Sequence, residues 1–166
     1  MKNLGDDAPH ERSSRTGLDW VARKDQQATL DAYERDVVTI SRYFFEAFAR
    51  PDGHAWIEAF AQAERVFPVP FGASIGHAIL IAINAVRASR RRTFIFERPG
   101  SVVGSFELTD TERYFIRILH DIRRDDRASA RAHALFLCEG NDASKVLAAF
   151  ERLAIITGDV QDPHFN

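Results

Sequence analysis

Cysteine is almost absent from this chain: Cys138 is the single one in 166 residues. An internal disulfide and a cysteine-only metal cluster are thereby excluded, and a reducing compartment is expected. Lysine is nearly as scarce, with Lys2, Lys24 and Lys145 the only three among 22 basic side chains. Arginine and alanine are abundant instead, the bias a GC-rich coding sequence gives, so a run of arginines carries less information here than in a balanced chain. An excess of either charge is missing too. The formal net charge of -2 argues against a dedicated nucleic-acid binder, although a local patch survives such a balance. The opening "MKNLGDDAPHERSSR" lacks the apolar centre of a secretory leader. A cytoplasmic, bacterial-type protein is expected.

Recognisable catalytic patterns are lacking as well. "RPGSVVGS" holds Gly100 and Gly104 but has no lysine and no strand-to-helix spacing of a phosphate loop. No Glu-x-x-His pair occurs, which removes the usual helical di-iron pattern. His54 and Glu58 are four apart on one helix, and as a solvated pair they need no function. Cys138 falls near a helix C-terminus, the wrong end for lowering a thiol pKa, and reads as a buried structural residue. His120 and His133 lie on neighbouring helices and read as boundary histidines. No cofactor and no metal site is expected, and the balance favours a non-enzymatic protein.

What the chain does contain is helical periodicity. Leu30, Tyr33, Val37, Ile40, Phe44, Phe45 and Phe48 recur at helical spacing up to Pro51. Trp56, Ile57, Phe60 and Phe67 repeat the pattern, with Asp52 as its candidate cap, before Pro68 and Pro70 break the chain. "FGASIGHAILIAINAVRAS" is apolar nearly all round and predicts a helix buried at the centre of a bundle. Within it Gly72 and Gly76 are one turn apart and mark a face of close helix approach. Thr109 and Glu112 have capping-box spacing, and Phe115, Ile118, Leu119 and Ile122 form the stripe that follows. Gly140 suits a left-handed helix end, Asn141 or Asp142 caps the last helix, and Val146, Leu147, Phe150, Leu153 and Ile156 face inward.

These patterns predict an all-α, single-domain bundle of five or six helices over residues 29–166. A short β-hairpin is a further option near 93–108, where Pro99-Gly100 suits a type II turn. Residues 1–28 read as a polar tail carrying a small apolar anchor, Leu18, Trp20 and Val21, for the protein's own body or for a partner.

Three readings compete for Arg87, Arg90, Arg91 and Arg92, which follow the uncharged run Val66 to Val86. A membrane span with a positive flank fails on length, because the prolines leave continuous helix only from Phe71, about 16 residues where ~20 are needed. His77 and Asn84 in its middle would also be costly in lipid. No membrane span is expected. A nucleic-acid grip would use these arginines, Phe94 and Phe96 as stacking faces, and Arg123, Arg124, Arg127 and Arg131 as a second patch. Asp121, Asp125 and Asp126 interrupt that second patch. The plainest reading is electrostatic: arginines in a last helical turn offset its negative end by ~0.3–1 kcal/mol each.

The favoured function is therefore a non-enzymatic helical interaction or regulatory protein, acting as a homo-oligomer or with a protein partner. A nucleic-acid-associated module using the arginine patches is one alternative. The other is a small-ligand pocket inside the bundle polarised by His77 and Asn84, which are seven apart and share a helix face.

Overall fold

Six helices make up the computed structural model, which describes residues 30–100 and 106–161. They are α1 (Ala32–Ala49), α2 (Ala55–Val66), α3 (Phe71–Ser89), α4 (Asp110–Arg123), α5 (Arg127–Leu137) and α6 (Ser144–Gln161). The protein is an all-α bundle across these residues, with no strand among them. The tail anchor Leu18, Trp20 and Val21 lies outside the described residues.

Side chains start most of these helices. Asp31 accepts the Glu34 N–H at 2.7 Å and Glu34 accepts the Asp31 N–H at 3.1 Å, a reciprocal capping box on α1. Thr109 and Glu112 form the same box on α4. Asp126 caps α5 through the Ser129 N–H, and Asp142 accepts the Ser144 N–H at the start of α6. The expected Asp52 cap is corrected, because α2 begins at Ala55, after His54, with no side-chain cap. Beyond α5, Glu139 (φ 58) and Gly140 (φ 78) are both left-handed, and the Gly140 N–H returns to the Leu135 carbonyl at 2.9 Å. That arrangement terminates the helix by satisfying one of its orphan carbonyls.

Thr93 to Phe96 runs as unpaired extended chain rather than as a strand. Its backbone is held by α4 side chains instead. Thr109 Oγ1 donates to the Ile95 carbonyl at 2.7 Å, Thr111 Oγ1 donates to the same oxygen, and the Glu97 N–H donates to Glu112 Oε1 at 3.2 Å. Those two backbone groups are satisfied without a ladder. Residues 101–105 of the second expected strand lie outside the described residues. The Pro99-Gly100 turn is present, with Gly100 at φ 79 as a type II turn requires.

The core gathers around α3 and an aromatic cluster. Phe45 stacks on Phe94 with centroids 4.1 Å apart, and Phe115 meets both Phe45 and Phe150 edge-to-face. On α3, Gly72, Ile75, Gly76, Ala78, Ile79, Ala82, Ile83 and Val86 are buried, and the helix packs on α1, α2 and α6. Its other face carries exposed Ser74, His77, Asn84 and Arg87. The expectation of burial all round is corrected: a run rich in alanine and isoleucine conceals a helix with one wet side. By length and composition alone, α3 is long and apolar enough to cross a membrane.

The glycine face is used inside the fold. A Cβ on Gly72 would lie 2.6 Å from the Glu64 Cα and 2.9 Å from the Ala63 carbonyl oxygen, both backbone atoms of α2. Gly72→Ala should therefore force α2 and α3 apart and destabilise by about 1–3 kcal/mol in urea unfolding. Gly158 in α6 has nothing within 4 Å of an added Cβ. Gly158→Ala should act the other way, raising the urea midpoint through a stabilisation of about 0.5–1 kcal/mol.

Candidate functional site

At the C-terminal end of α3 the chain leaves the helix at Arg90, whose backbone is extended (φ -119, ψ 155). The next residues cross the last turn of α1 and open a groove of about 270 Å³. Phe45, Phe48 and Ala49 of α1 form one wall, Thr93, Phe94 and Phe96 the other, and Arg87, Arg90, Arg91 and Arg92 the rim. A second depression of about 340 Å³ adjoins it and shares Arg90 and Arg91, with Ala85, Ala88, Ser89, Asn141, Asp142 and Lys145 completing its lining. The four arginines singled out in the sequence thus converge on one place.

They are held differently. Arg87 sets its guanidinium carbon 3.8 Å from the Phe48 ring centre, a stacking distance, and its side chain is otherwise exposed. Arg90 is largely buried. Its guanidinium donates to the Leu137 carbonyl at 3.2 Å and the Arg92 carbonyl at 3.0 Å, and it pairs with Glu139 at 3.4 Å. Arg90 therefore serves the C-terminus of α5 rather than that of its own helix, where Asn141 donates to the Ser89 carbonyl. The Glu139 carboxylate also accepts the backbone N–H groups of Arg91 and Arg92 at 3.1 and 3.3 Å. Desolvation opposes its ionisation, but those amides and the Arg90 and Arg92 charges outweigh it and hold the carboxyl below its ordinary value. No hydrogen bond or ion pair engages the Arg91 or Arg92 side chain among the described residues, although Arg92 acts on Glu139 through its charge.

A second polar constellation lies where α1 begins and α4 ends. Glu34, fully buried, faces His120 Nδ1 at 2.8 Å, Arg123 at 3.2 Å and Arg124 at 3.5 Å, while Arg123 also reaches Asp31 at 2.8 Å. His120 Nδ1 lies 2.9 Å from Arg124 as well. The ring nitrogen cannot donate to the carboxylate and accept from the guanidinium at once. Glu34 is the better partner, since Arg124 has the His120 carbonyl at 3.3 Å as another acceptor. Next along α4, Asp121 pairs with His133 of α5 at 2.7 Å. At the other end of α4, Glu112 accepts Arg42 Nε at 2.7 Å and Nη2 at 3.0 Å, a buried bidentate pair.

The two arginine patches of the sequence do not meet. Arg123 binds Asp31 at the start of α1 and Arg87 covers Phe48 in its last turn. A helical rise of 1.5 Å per residue puts those two α1 positions about 26 Å apart. Arg123 and Arg124 are taken up by Glu34 and Asp31, and Arg127 by Glu151 at 2.8 Å, while Arg131 is exposed on α5. The two-patch reading therefore contracts to one patch. His77 and Asn84 share a face as expected, but it is the exposed one, and neither lines either groove. The expected buried histidine is corrected. His120 and His133 are the buried pair instead, 8 % and 9 % exposed. Cys138 is fully buried beside the Ser89 hydroxyl at 3.1 Å, and burial pushes its thiol pKa up.

Sequence reasoning missed Phe45 and Phe48 as groove walls and Glu139 as its acid. It also missed the Asp31–Glu34 box, whose spacing stands in "DAYE". Compared with protein-family models, with curated proteins and with solved structures, the chain matches none.

Two outcomes follow from the buried charges. Glu112→Gln keeps an acceptor but strands Arg42, and should cost about 3–5 kcal/mol in urea unfolding. Burial pushes the Asp31 carboxyl up, but the Glu34 N–H and Arg123 prevail and hold it below its ordinary 3.8. A lowered folded pKa contributes stability in full above the ordinary value and loses it as pH falls through the folded one. Acid unfolding followed by circular dichroism should therefore fall less steeply below about pH 4 in Asp31→Asn than in the parent.

Proposed function

We propose that this protein is a non-enzymatic binding module that engages nucleic acid through the arginine-rimmed groove at the C-terminal end of α3. One observation carries the reading: four arginines from a single stretch converge on one phenylalanine-walled groove, and among the described residues only Arg90 of the four is spent on an ion pair. Structural arginines look different in this molecule. At the far end of α1, Arg123 and Arg124 are bound to buried or capping carboxylates. Arg91 and Arg92 are exposed and project charge where the local acids, Glu139 and Asp142, are outnumbered by Arg87, Arg90, Arg91, Arg92 and Lys145. A local field of this kind attracts a polyanion even on a chain whose net charge is -2. The guanidinium fork matches the oxygens of a phosphate bidentately.

Catalysis is not part of the proposal, because the described residues of the groove bring together no nucleophile with a base. Its acid, Glu139, is already held by two amides and a guanidinium. The role of that carboxylate is competition: it occupies amides and positive charge that a phosphate oxygen would also seek.

Fluorescence anisotropy with a labelled oligonucleotide tests the reading. Binding should weaken with salt, with a log–log slope of about -2 to -3 if three to four phosphates are engaged. Glu139→Gln keeps an acceptor for the Arg91 and Arg92 amides while removing the competing charge, and should tighten binding a few-fold. Absence of binding at low salt would remove the proposal.

A further inference from the structure

Resting on that reading, we infer that the groove selects single strands: an unstacked base lies on the Arg87–Phe48 platform, and the strand continues over the Arg90–Arg91 ridge into the adjoining depression. Three observations lead there. The first is the wall chemistry. A site for phosphates alone has no use for Phe48 and Phe96, yet both are partly exposed and border the space the arginines rim. Base faces are available to aromatic and guanidinium planes only when the base is out of a duplex stack.

The second is the platform itself. Phe48 already carries the Arg87 guanidinium on its face at 3.8 Å. Arg87 is exposed, and its one polar side-chain contact among the described residues, to Asn84 at 3.4 Å, is long. The side chain is thus held flat from below by the ring while remaining open above. A guanidinium braced in this way has lost little further freedom when a base stacks on it, which makes the stacking more favourable.

The third is continuity. The two depressions share Arg90 and Arg91 as a common wall, so a ligand filling the first and crossing that wall enters the second. A chain with one negative charge per unit matches that path: base, phosphate on the ridge, next unit beside Lys145. Asp142 also lines the second depression, but its oxygens accept from the Ser144 N–H at 2.9 Å and the Ser144 hydroxyl at 2.8 Å, and three cations face the same space. Contact with the bases of a duplex would need an element entering one of its grooves. Among the described residues the rim offers a helix end and an extended segment, with no projecting helix or ribbon.

The test compares three labelled probes of equal length by anisotropy: single-stranded oligothymidine, a base-free deoxyribose-phosphate strand, and a duplex. Oligothymidine should bind about tenfold more tightly than the base-free strand for one stacked base, and more tightly than the duplex. Arg87→Lys keeps the charge at an exposed position but removes the plane, so oligothymidine should fall to the level of the base-free strand while that strand is unaffected. Phe48→Leu should do the same by removing the brace. Equal, salt-sensitive binding of all three probes, or a preference for duplex, would overturn the single-strand inference while leaving phosphate binding intact. Failure of every probe to bind would overturn both.

Discussion

A carboxylate sealed from water has to be met by donors and by positive charge. Both capping-box glutamates of this protein are in that position. Glu34 and Glu112 are 0 % and 2 % exposed, and each closes the first turn of its own helix while receiving cations from the other. Glu34 on α1 takes His120, Arg123 and Arg124 from the end of α4, and Glu112 on α4 takes Arg42 from α1. The two clamps sit on antiparallel helices and complement both helix dipoles: acid at each N-terminus, arginines at the C-terminus of α4. The Phe45–Phe115 contact packs α1 on α4, and the charge pairs add directional bonds at both ends. Two charge pairs that cannot be left unpaired fix their register.

The groove inherits that register. Glu112 Oε1 takes the Glu97 N–H as well as Arg42, and the threonines beside it hold the Ile95 carbonyl. The segment bearing Phe94 and Phe96 is thereby tied to the same carboxylate that locks α1, which contributes Phe45 and Phe48. The stacked Phe45–Phe94 pair then closes the floor between the two walls. From the other side Glu139, left-handed after the end of α5, draws in Arg90 and the Arg91 and Arg92 amides. Arginine consequently has two fates in one molecule, structural where a buried glutamate awaits it and open where Glu139 and Asp142 are outnumbered by four arginines and Lys145.

Local chemistry was legible in the sequence where its cause was local. The helices, the Thr109–Glu112 box, the left-handed Gly140 and the Pro99-Gly100 turn all rest on spacings of a few residues, and each is present. Burial was read less well. His77 and Asn84 stand among alanines and isoleucines that read as core from composition, whereas the i, i+3, i+4 stripe from Gly72 to Val86 leaves them outside. A short hairpin was one option near 93–108; Thr93 to Phe96 is not a strand, and its Ile95 carbonyl and the Glu97 N–H are met by Thr109, Thr111 and Glu112, a partnership that no local pattern announces. Distance hid the rest. Glu34 and His120 are 86 residues apart and Arg42 and Glu112 are 70, so neither pair leaves a mark in a single sequence. The arginine run was visible, but its aromatic walls come from α1 and become apparent only in three dimensions.

The central claim is that the arginines at the two ends of α1 do different work, and one paired measurement separates them. Arg91→Gln with Arg92→Gln, and separately Arg123→Gln, can each be assayed for oligonucleotide affinity at low salt and for urea stability. The account predicts that the first variant loses most of its affinity at unchanged stability. The second should lose stability, as Glu34 and Asp31 lose a partner, while binding as the parent does once folded. Equal loss of affinity in both variants, or a loss of stability in the first without a loss of binding, would contradict it.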